Sequence, residues 1–294
     1  MGSIPFETGA KILEPNQRAL IACNGREEIL ILSTDLQADQ ETKVLEIMPL
    51  PSKPTVSKAD PEIFTKATDL INSKLKKPDE SYGKKGGVGG MGGYGGGDVE
   101  IPAGTVTEQK RIGAHDISVT HVERPEGFVT WAKEYLKSQG VDTPTIPPEL
   151  EKVIKEYMDD NYKWFVFDVV SLSEEPVSKD AIQIRFKSEF LFYPMRITRT
   201  EQGYTTVKLL IFTRGLFPER SFIGIPLSDI RMVHDPVTIY SHELKRLNAD
   251  IHKMLGMPPT VQVRNWEITG QLDSFENDLI VGDRAAYERH LKKK

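Results

Sequence analysis

The stretch from Tyr162 to Leu172, which reads YKWFVFDVVSL, constrains the fold more than any other part of the chain. Its aromatic and β-branched residues fit a pleated, half-buried surface. Successive side chains of a strand point to opposite faces, and here both faces are largely apolar. The stretch therefore predicts a central strand that is covered on both sides.

Length and charge exclude several classes of protein. The 294 residues are enough for one large domain or two ordinary ones. The net charge of −5 gives no electrostatic footprint for nucleic acid or an anionic membrane. No run of about 18 apolar residues occurs, so no membrane-spanning helix is expected.

Cys23 is the only cysteine, which excludes an internal disulfide framework and a cysteine-rich zinc site. It ends the apolar run Ala19–Cys23, so we interpret it as a small core residue rather than a nucleophile.

Residues 17–34 predict a β-hairpin, because two apolar strands flank Asn24-Gly25. This dipeptide suits a two-residue type I′ turn in which both residues have positive φ. A third strand is expected at 43–48, followed by a segment containing Pro49, Pro51 and Pro54. Three prolines remove three backbone donors, so this segment is predicted to be an extended edge.

A helix is expected to begin at Asp60-Pro61 and to continue to about Lys76. Residues 83–97 then contain ten glycines in fifteen positions, which predicts a flexible loop or linker. A phosphate cradle would need a strand before the glycines and a helix directly after them, and Asp98–Pro102 is not a helix start.

The rest of the chain predicts more antiparallel strands and three further helices. Strands are expected at 105–112, 115–122, 181–187, 190–198, 204–213 and 261–272, and helices at 125–139, 148–158 and 241–255. A turn at 201–203 joins two of the strands as a hairpin, and Pro194 marks an edge or a bulge. The fold class is α+β, with antiparallel hairpins and sheets and about four helices.

Four segments follow from these patterns. Residues 1–82 form an N-terminal strand region with one helix, and 83–97 are the glycine-rich linker. Residues 98–275 form the main α+β domain, which is expected to share one core with 1–82, and 276–294 form a charged, frayed tail.

Three blocks of sequence resemble a family of bacterial and archaeal proteins known only as domain of unknown function twenty-three-thirty. The blocks are Ala19–Pro54, then Arg111–Val119 with Trp131, and then Tyr157–Phe167 with Ile184–Ser188 and Phe192–Ile197. The resemblance implies an exported protein that works outside the cytoplasm, some relatives carrying a membrane anchor. It carries no activity, cofactor or catalytic residue.

The start of the chain bears on this expectation. Met1-Gly2-Ser3 shows no charged and apolar leader. We expect an extracellular or cell-envelope location with the leader removed, or a cytoplasmic one if Met1 is the true start.

The histidine and acidic residues of the sequence are not spaced as the ligands of a metal ion would be. His115 and His121 would lie about 20 Å apart on one strand, as partly buried rim residues. His242 and Glu243 are separated from His252 by about 15 Å of helix, too far for the H-E-x-x-H pattern.

The remaining candidates are also weak. Asp273, Glu276 and Asp278 lack the alternating acids and the glycine of an EF-hand loop, and no G-x-S-x-G elbow occurs. We therefore expect no cofactor and no metal, and identify no catalytic residue.

The sequence favours a non-catalytic exported module that binds or scaffolds other cell-surface proteins. Its partner surface is predicted at the sheet edges marked by Pro49, Pro51, Pro54 and Pro194. The alternative is a metal-dependent or His/Asp hydrolase, which a deep pocket joining a histidine to a carboxylate would favour.

Overall fold

A computed structural model describes residues 2–7, 12–75, 104–112, 115–138, 140–142, 144–172, 177–178 and 181–292. The predicted glycine-rich linker at 83–97 lies outside these residues. Sixteen strands and six helices occur in the described residues. The strands are β1 Gly2–Pro5, β2 Ile12–Cys23, β3 Glu27–Ala38, β4 Thr42–Leu50, β5 Thr55–Lys58, β6 Gly104–Ile112, β7 His115–Val122, β8 Trp164–Leu172, β9 Val177–Ser178, β10 Ile182–Lys187, β11 Phe190–Tyr193, β12 Tyr204–Thr213, β13 Arg231–Met232, β14 Val237–Tyr240, β15 Thr260–Gln271 and β16 Leu279–Gly282. The helices are α1 Ile63–Leu75, α2 Pro125–Ser138, α3 Pro148–Asp159, α4 Ser241–Leu247, α5 Ala249–Met254 and α6 Arg284–Leu291.

Two sheets dominate the fold, and all but one of their strand pairings are antiparallel. A five-stranded sheet has the order β1-β4-β8-β7-β6, and a nine-stranded sheet has the order β13-β15-β12-β2-β3-β10-β5, with β14 on β15 and β9 on β3. The pairing of β2 with β12 is parallel, and β11 and β16 form a separate antiparallel ribbon. The predicted α+β class is confirmed.

The central strand predicted at 162–172 is confirmed as β8, which pairs with β4 on one side and β7 on the other. One of its faces packs on α2, where the Trp131 and Phe167 rings lie 4.3 Å apart. The opposite face, with Val166, belongs to the same core as Ile21 and Leu30 of the nine-stranded sheet. The two sheets therefore pack face to face.

The far face of the nine-stranded sheet is covered by helices. Leu20 and Ile31 share a second core with Ile63 and Ala67 of α1 and with Leu244 of α4. The layers run from α2 and α3, through the two sheets, to α1, α4 and α5. Apolar residues on both faces of the inner strands follow from this four-layer arrangement.

The first hairpin is confirmed, but its turn geometry differs from the prediction. Only Gly25 has a positive φ, at 76°. The Asn24 Oδ1 instead accepts hydrogen bonds of 2.8 Å from the backbone N–H groups of Arg26 and Glu27. Cys23 lies opposite Glu28, and the Asn24 N–H bonds to the Glu27 carbonyl at 3.2 Å, so the two central residues of the turn are Gly25 and Arg26 rather than Asn24 and Gly25. A positive φ at the first central position alone is typical of a type II′ turn, so Asn24 needs no left-handed conformation.

Two local predictions are wrong because of longer-range contacts. The strand expected at 190–198 ends at Tyr193, and a short 3-10 helix follows at Arg196–Thr200. The turn at 201–203 does not make a hairpin, because β12 pairs with β15 and β2, and β11 pairs with β16.

The single helix predicted at 241–255 is two helices. Asn248 has an extended backbone, with φ of −156°, and its side chain accepts from the N–H of Ile251 to cap α5. This break and the unpredicted α6 account for the six helices of the described residues, where about four were expected.

The expected frayed tail is also wrong, since residues 279–291 form β16 and α6. Asp278, directly before β16, is buried, and its Oδ1 accepts from Tyr157 Oη at 2.6 Å. The same oxygen accepts from the N–H groups of Met195 and Arg196 at 2.9 Å. Burial raises the pKa of Asp278 and of Tyr157. These hydrogen bonds connect residues 278–291, which we name the C-terminal segment, to α3 and to the chain after β11.

Candidate functional site

The four prolines of the predicted partner surface differ in accessibility. Pro49 lies in β4 opposite Phe165 and is buried, as are Pro54 and Pro194. Pro51 is half-buried, so it is the proline of this set that solvent reaches best. Pro194 directly follows β11, which ends there.

Pro54 leads directly into β5, the outermost strand of the nine-stranded sheet. β5 pairs with β10 on one side, and the Ala59 N–H bonds to Ala181 on that same side. Its other edge carries the carbonyl of Val56, which accepts from the Lys110 Nζ at 3.1 Å. Since backbone groups alternate along a strand, the N–H groups of Val56 and Lys58 point outward as well. Among the described residues, no strand pairs with this edge.

A cavity of about 390 Å³ lies beside this segment, and we name it the Pro51 cavity. It is lined by Arg26, Pro51, Ser52, Lys187, Ser188, Glu189, Phe190, Ala286 and His290. The Ser52 hydroxyl donates to the carbonyl of Lys187 at 2.7 Å, which holds one wall in place. The His290 ring lies 5.5 Å from Phe190, so α6 forms the opposite wall.

A second cavity, of about 370 Å³, lies on the other side of Glu189 and Phe190, and we name it the Thr213 cavity. It is lined by Cys23, Asn24, Gly25, Glu189, Phe190, Leu191, Thr213–Phe217, Ser221 and Val281–Asp283. The Asn24 Nδ2 donates to the Met254 carbonyl at 2.7 Å, which ties the first turn to the end of α5. Both cavities thus lie where the β2–β3 turn meets the C-terminal segment.

Cys23 lines the Thr213 cavity but is a poor nucleophile. Its side chain is buried, and burial with the nearby Glu28 raises the pKa of the thiol to about 12. Burial also raises the pKa of Glu28, whose Oε2 accepts from the N–H of Phe192 at 2.8 Å. A thiol with a raised pKa carries little thiolate at neutral pH, which agrees with its interpretation as a core residue.

His115 is not the rim residue that the sequence predicted. It is buried, and its Nδ1 lies 2.5 Å from the Asp168 Oδ2. The two residues lie on one face because Ile117 of β7 is opposite Asp168 and His115 is two positions away. This pair lines none of the cavities described above. His121, half-buried, packs against Trp164, with ring centroids 4.6 Å apart and ring planes tilted by 43°.

The structure brings together Ser241 and His252, which sequence spacing did not connect. The Ser241 Oγ lies 2.7 Å from the His252 Nε2, because α4 and α5 fold back on each other at Asn248. His242 is exposed and stacks on Tyr240, while Glu243 pairs with Lys74 at 2.6 Å. In the part of the chain that the structure describes, no three histidine, cysteine or acidic side chains are placed to hold a metal ion.

A larger cavity, of about 680 Å³, opens at the far end of the five-stranded sheet. Its charged lining residues are Glu7, Glu41, Lys43 and Asp142. Neither histidine nor cysteine lines it. No described helix combines the length and apolar character that a membrane crossing requires.

The sequence profile of one family, "Uncharacterized protein conserved in bacteria (DUF2330)", matches residues 2–233. The chain belongs to this family. No curated protein matches the chain.

Two solved structures resemble the fold at low similarity. The crystal structure of baculovirus P35 has a TM-score of 0.43 and 11% identity, covering 95% of this chain and 99% of that one. A mutated baculovirus P35 after caspase cleavage has a TM-score of 0.42 and 9% identity, covering 92% of this chain and 99% of that one.

Proposed function

We propose that the protein is a non-catalytic binding module that captures an extended segment of a partner protein on the outer edge of β5. The observation that carries the proposal is that β5 ends the strand order of the nine-stranded sheet, so that no described strand pairs with its outer edge. A strand edge of this kind can add a strand from a partner, with main-chain hydrogen bonds giving affinity, and here the Lys110 side chain would have to leave the Val56 carbonyl.

The Pro51 cavity supplies the side-chain recognition that an edge lacks. Thr55, the first residue of β5, lies opposite Arg185, so the edge begins beside Lys187 in the cavity wall. A partner segment that continues from this edge past Thr55, towards Pro51 and Ser52, would place a side chain in the cavity. The charged residues of its lining are Arg26, Lys187 and Glu189. Because Glu189 pairs with Arg289, an acidic or polar side chain fits the cavity better than a basic one.

The proposed location is outside the cytoplasm, in the cell envelope or beyond, and the proposed partners are other cell-surface proteins. Both rest on the resemblance of the sequence to exported proteins. The net charge of −5 supports the proposal that nucleic acid is not a partner. The module needs no cofactor for this role.

The test uses Lys58→Pro, which removes an outward N–H but leaves the hydrogen bonds from β5 to β10 in place. Lys58→Ala is the matched control, because it removes the same side chain and keeps the N–H. Each variant, immobilised, is exposed to an envelope extract of the bacterium that makes the protein, and bound proteins are identified by mass spectrometry. We expect wild type and Lys58→Ala to capture the same protein and Lys58→Pro to lose it. Capture by a folded Lys58→Pro variant would refute edge pairing.

One observation favours the alternative, a metal-dependent or His/Asp hydrolase, namely the short contact between His115 and Asp168. Both side chains are buried between the sheets, so a substrate would reach them only after the sheets separate. A His115→Gln variant distinguishes the two functions. Loss of a measurable hydrolysis in this variant would favour the hydrolase, and unchanged partner capture supports the binding module.

A further inference from the structure

Arg264 is a buried cation without a carboxylate partner among the described residues. It lies in β15 opposite Ile211, and 4% of its surface is exposed. Its Nη1 donates to the Thr213 hydroxyl at 2.8 Å and its Nη2 to the Gly215 carbonyl at 2.5 Å. The Phe217 ring centroid lies 5.1 Å from the guanidinium carbon. All of these partners are neutral.

Another arginine of low exposure has a different environment. Arg196 pairs with Asp160 at 2.7 Å and lies 3.7 Å from an oxygen of Asp278. Nearby carboxylates raise the pKa of Arg196 despite its burial, whereas burial alone lowers the pKa of Arg264 to about 10. Arg264 is still charged at neutral pH, and buried charges in proteins are normally paired.

The partners of Arg264 form the wall of the Thr213 cavity. Thr213, Gly215 and Phe217 all line it, so the guanidinium lies one hydrogen bond behind the cavity surface. A negative charge in the cavity would be attracted to Arg264 through a region of low dielectric, where the interaction is strong.

Arg214 adds a second guanidinium to the same wall, and its position is fixed. The Arg214 Nε donates to the Leu255 carbonyl at 2.6 Å. Its Nη2 occupies the space that a side chain at position 256 would fill, and Gly256, with φ of 75°, has none. In the described residues Arg214 makes no ion pair, so its terminal N–H groups remain for a ligand.

The acids that line the cavity are engaged elsewhere. Glu189 pairs with Arg289 at 2.6 Å, and the Asp283 side chain accepts from the N–H of Ala285 to cap α6. Leu216 and Phe217 give the cavity an apolar part beside the charged one. This combination suits an anion with an organic body better than a fully hydrated inorganic anion.

We propose that the Thr213 cavity binds an organic carboxylate, with Arg214 contacting the carboxylate and Arg264 supplying a buried positive charge behind it. The shared chemistry is one carboxylate next to an apolar group. It occurs in small aromatic acids and at the C-terminus of a peptide chain. The site is separate from the β5 edge, so it stands or falls independently of the proposed capture of a strand.

Calorimetric titration of the full-length protein with benzoate, and with benzamide as its neutral isostere, tests the site. We expect saturable benzoate binding with a dissociation constant of about millimolar or tighter, and none for benzamide. Arg214→Gln should weaken benzoate binding at least about tenfold, while Arg220→Gln, at an exposed arginine of the neighbouring loop, should leave it unchanged. Arg214 is exposed, so its variant is expected to fold normally, which near-ultraviolet circular dichroism checks.

A second titration separates the two sources of carboxylate. Short peptides ending in phenylalanine are compared as the free acid and as the C-terminal amide. Binding of the free acid at least about tenfold tighter than benzoate indicates a peptide C-terminus, and weaker binding indicates a small acid. Absence of saturable binding by benzoate and by the free-acid peptide would overturn the proposal. Binding of inorganic phosphate in preference to both carboxylates would also overturn it, as would equal affinity of Arg214→Gln and wild type.

Discussion

Replacing Tyr157 by phenylalanine tests whether the C-terminal segment is fastened to the fold through one hydroxyl group. This hydroxyl donates to the Asp278 Oδ1 at 2.6 Å and accepts from the N–H of Ile197 at 3.1 Å. The substitution removes a hydrogen bond to a carboxyl group, a class of bond that contributes about 1.5–3 kcal/mol. It also leaves the buried N–H of Ile197 without its acceptor, which costs about 1–3 kcal/mol. Since the two effects share one small site, we expect a combined loss of about 2–4 kcal/mol.

Equilibrium unfolding in urea, followed by far-ultraviolet circular dichroism, measures this loss as a lower midpoint at unchanged slope. Tyr204→Phe is the control, because Tyr204 is 59% exposed and its hydroxyl should contribute less than about 0.5 kcal/mol. A Tyr157→Phe variant as stable as Tyr204→Phe would refute the network. A changed slope would instead indicate that the C-terminal segment detaches before the rest of the protein unfolds.

Three further predictions use the same unfolding assay. Gly25→Val should destabilise the protein by about 1–2 kcal/mol, because a β-branched residue is strained at the φ of 76°, and unchanged stability would contradict the turn. Glu28→Gln should reduce the pH dependence of the free energy of unfolding, because burial raises the pKa of Glu28 in the folded state. The protonated carboxyl contributes its full stabilisation below about pH 4 and loses it as the pH rises toward the folded pKa. Parallel curves of stability against pH for wild type and variant would refute this. Gly224→Ala should cost about 1–3 kcal/mol, because its methyl group would overlap the Asp278 carbonyl, whereas Gly215→Ala meets no atom within 4 Å, so an equal effect of the two would contradict the packing.

Local patterns in the sequence predicted where the strands lie better than which strands pair with each other. The pattern of apolar residues located the central strand and both strands of the first hairpin, because a strand that is buried on one or both faces needs apolar residues in alternation or in a continuous run. The pairing of β12 with β2 depends on residues far apart in the chain, so the adjacent segments at 190–198 and 204–213 were wrongly joined. The short apolar run Leu279–Val281 was hidden in a charged tail, and only its pairing with β11 makes it a strand.

The candidate site was less predictable than the fold. Both cavities are assembled from the first turn, the β10–β11 turn and the C-terminal segment, whose proximity no sequence spacing reveals. One signal was present for the Thr213 cavity. Arg264 is in phase with Trp266 and Ile268, so strand alternation places a charged side chain on a buried face. A charge in that position indicates either a buried partner or a ligand.

Because β2 pairs in parallel with β12, the nine-stranded sheet cannot be completed until late in synthesis of the chain. Asn16 pairs with Thr206, so one side of β2 has no neighbour until most of the polypeptide has been made. Until then β3, β10 and β5 can pair beside β2, but the other edge of β2 leaves its backbone groups unpaired, and such an edge promotes aggregation. Folding that waits for distant strands is slow and prone to aggregation. The largest sheet of the protein is therefore completed only after β12 and β15 have been made.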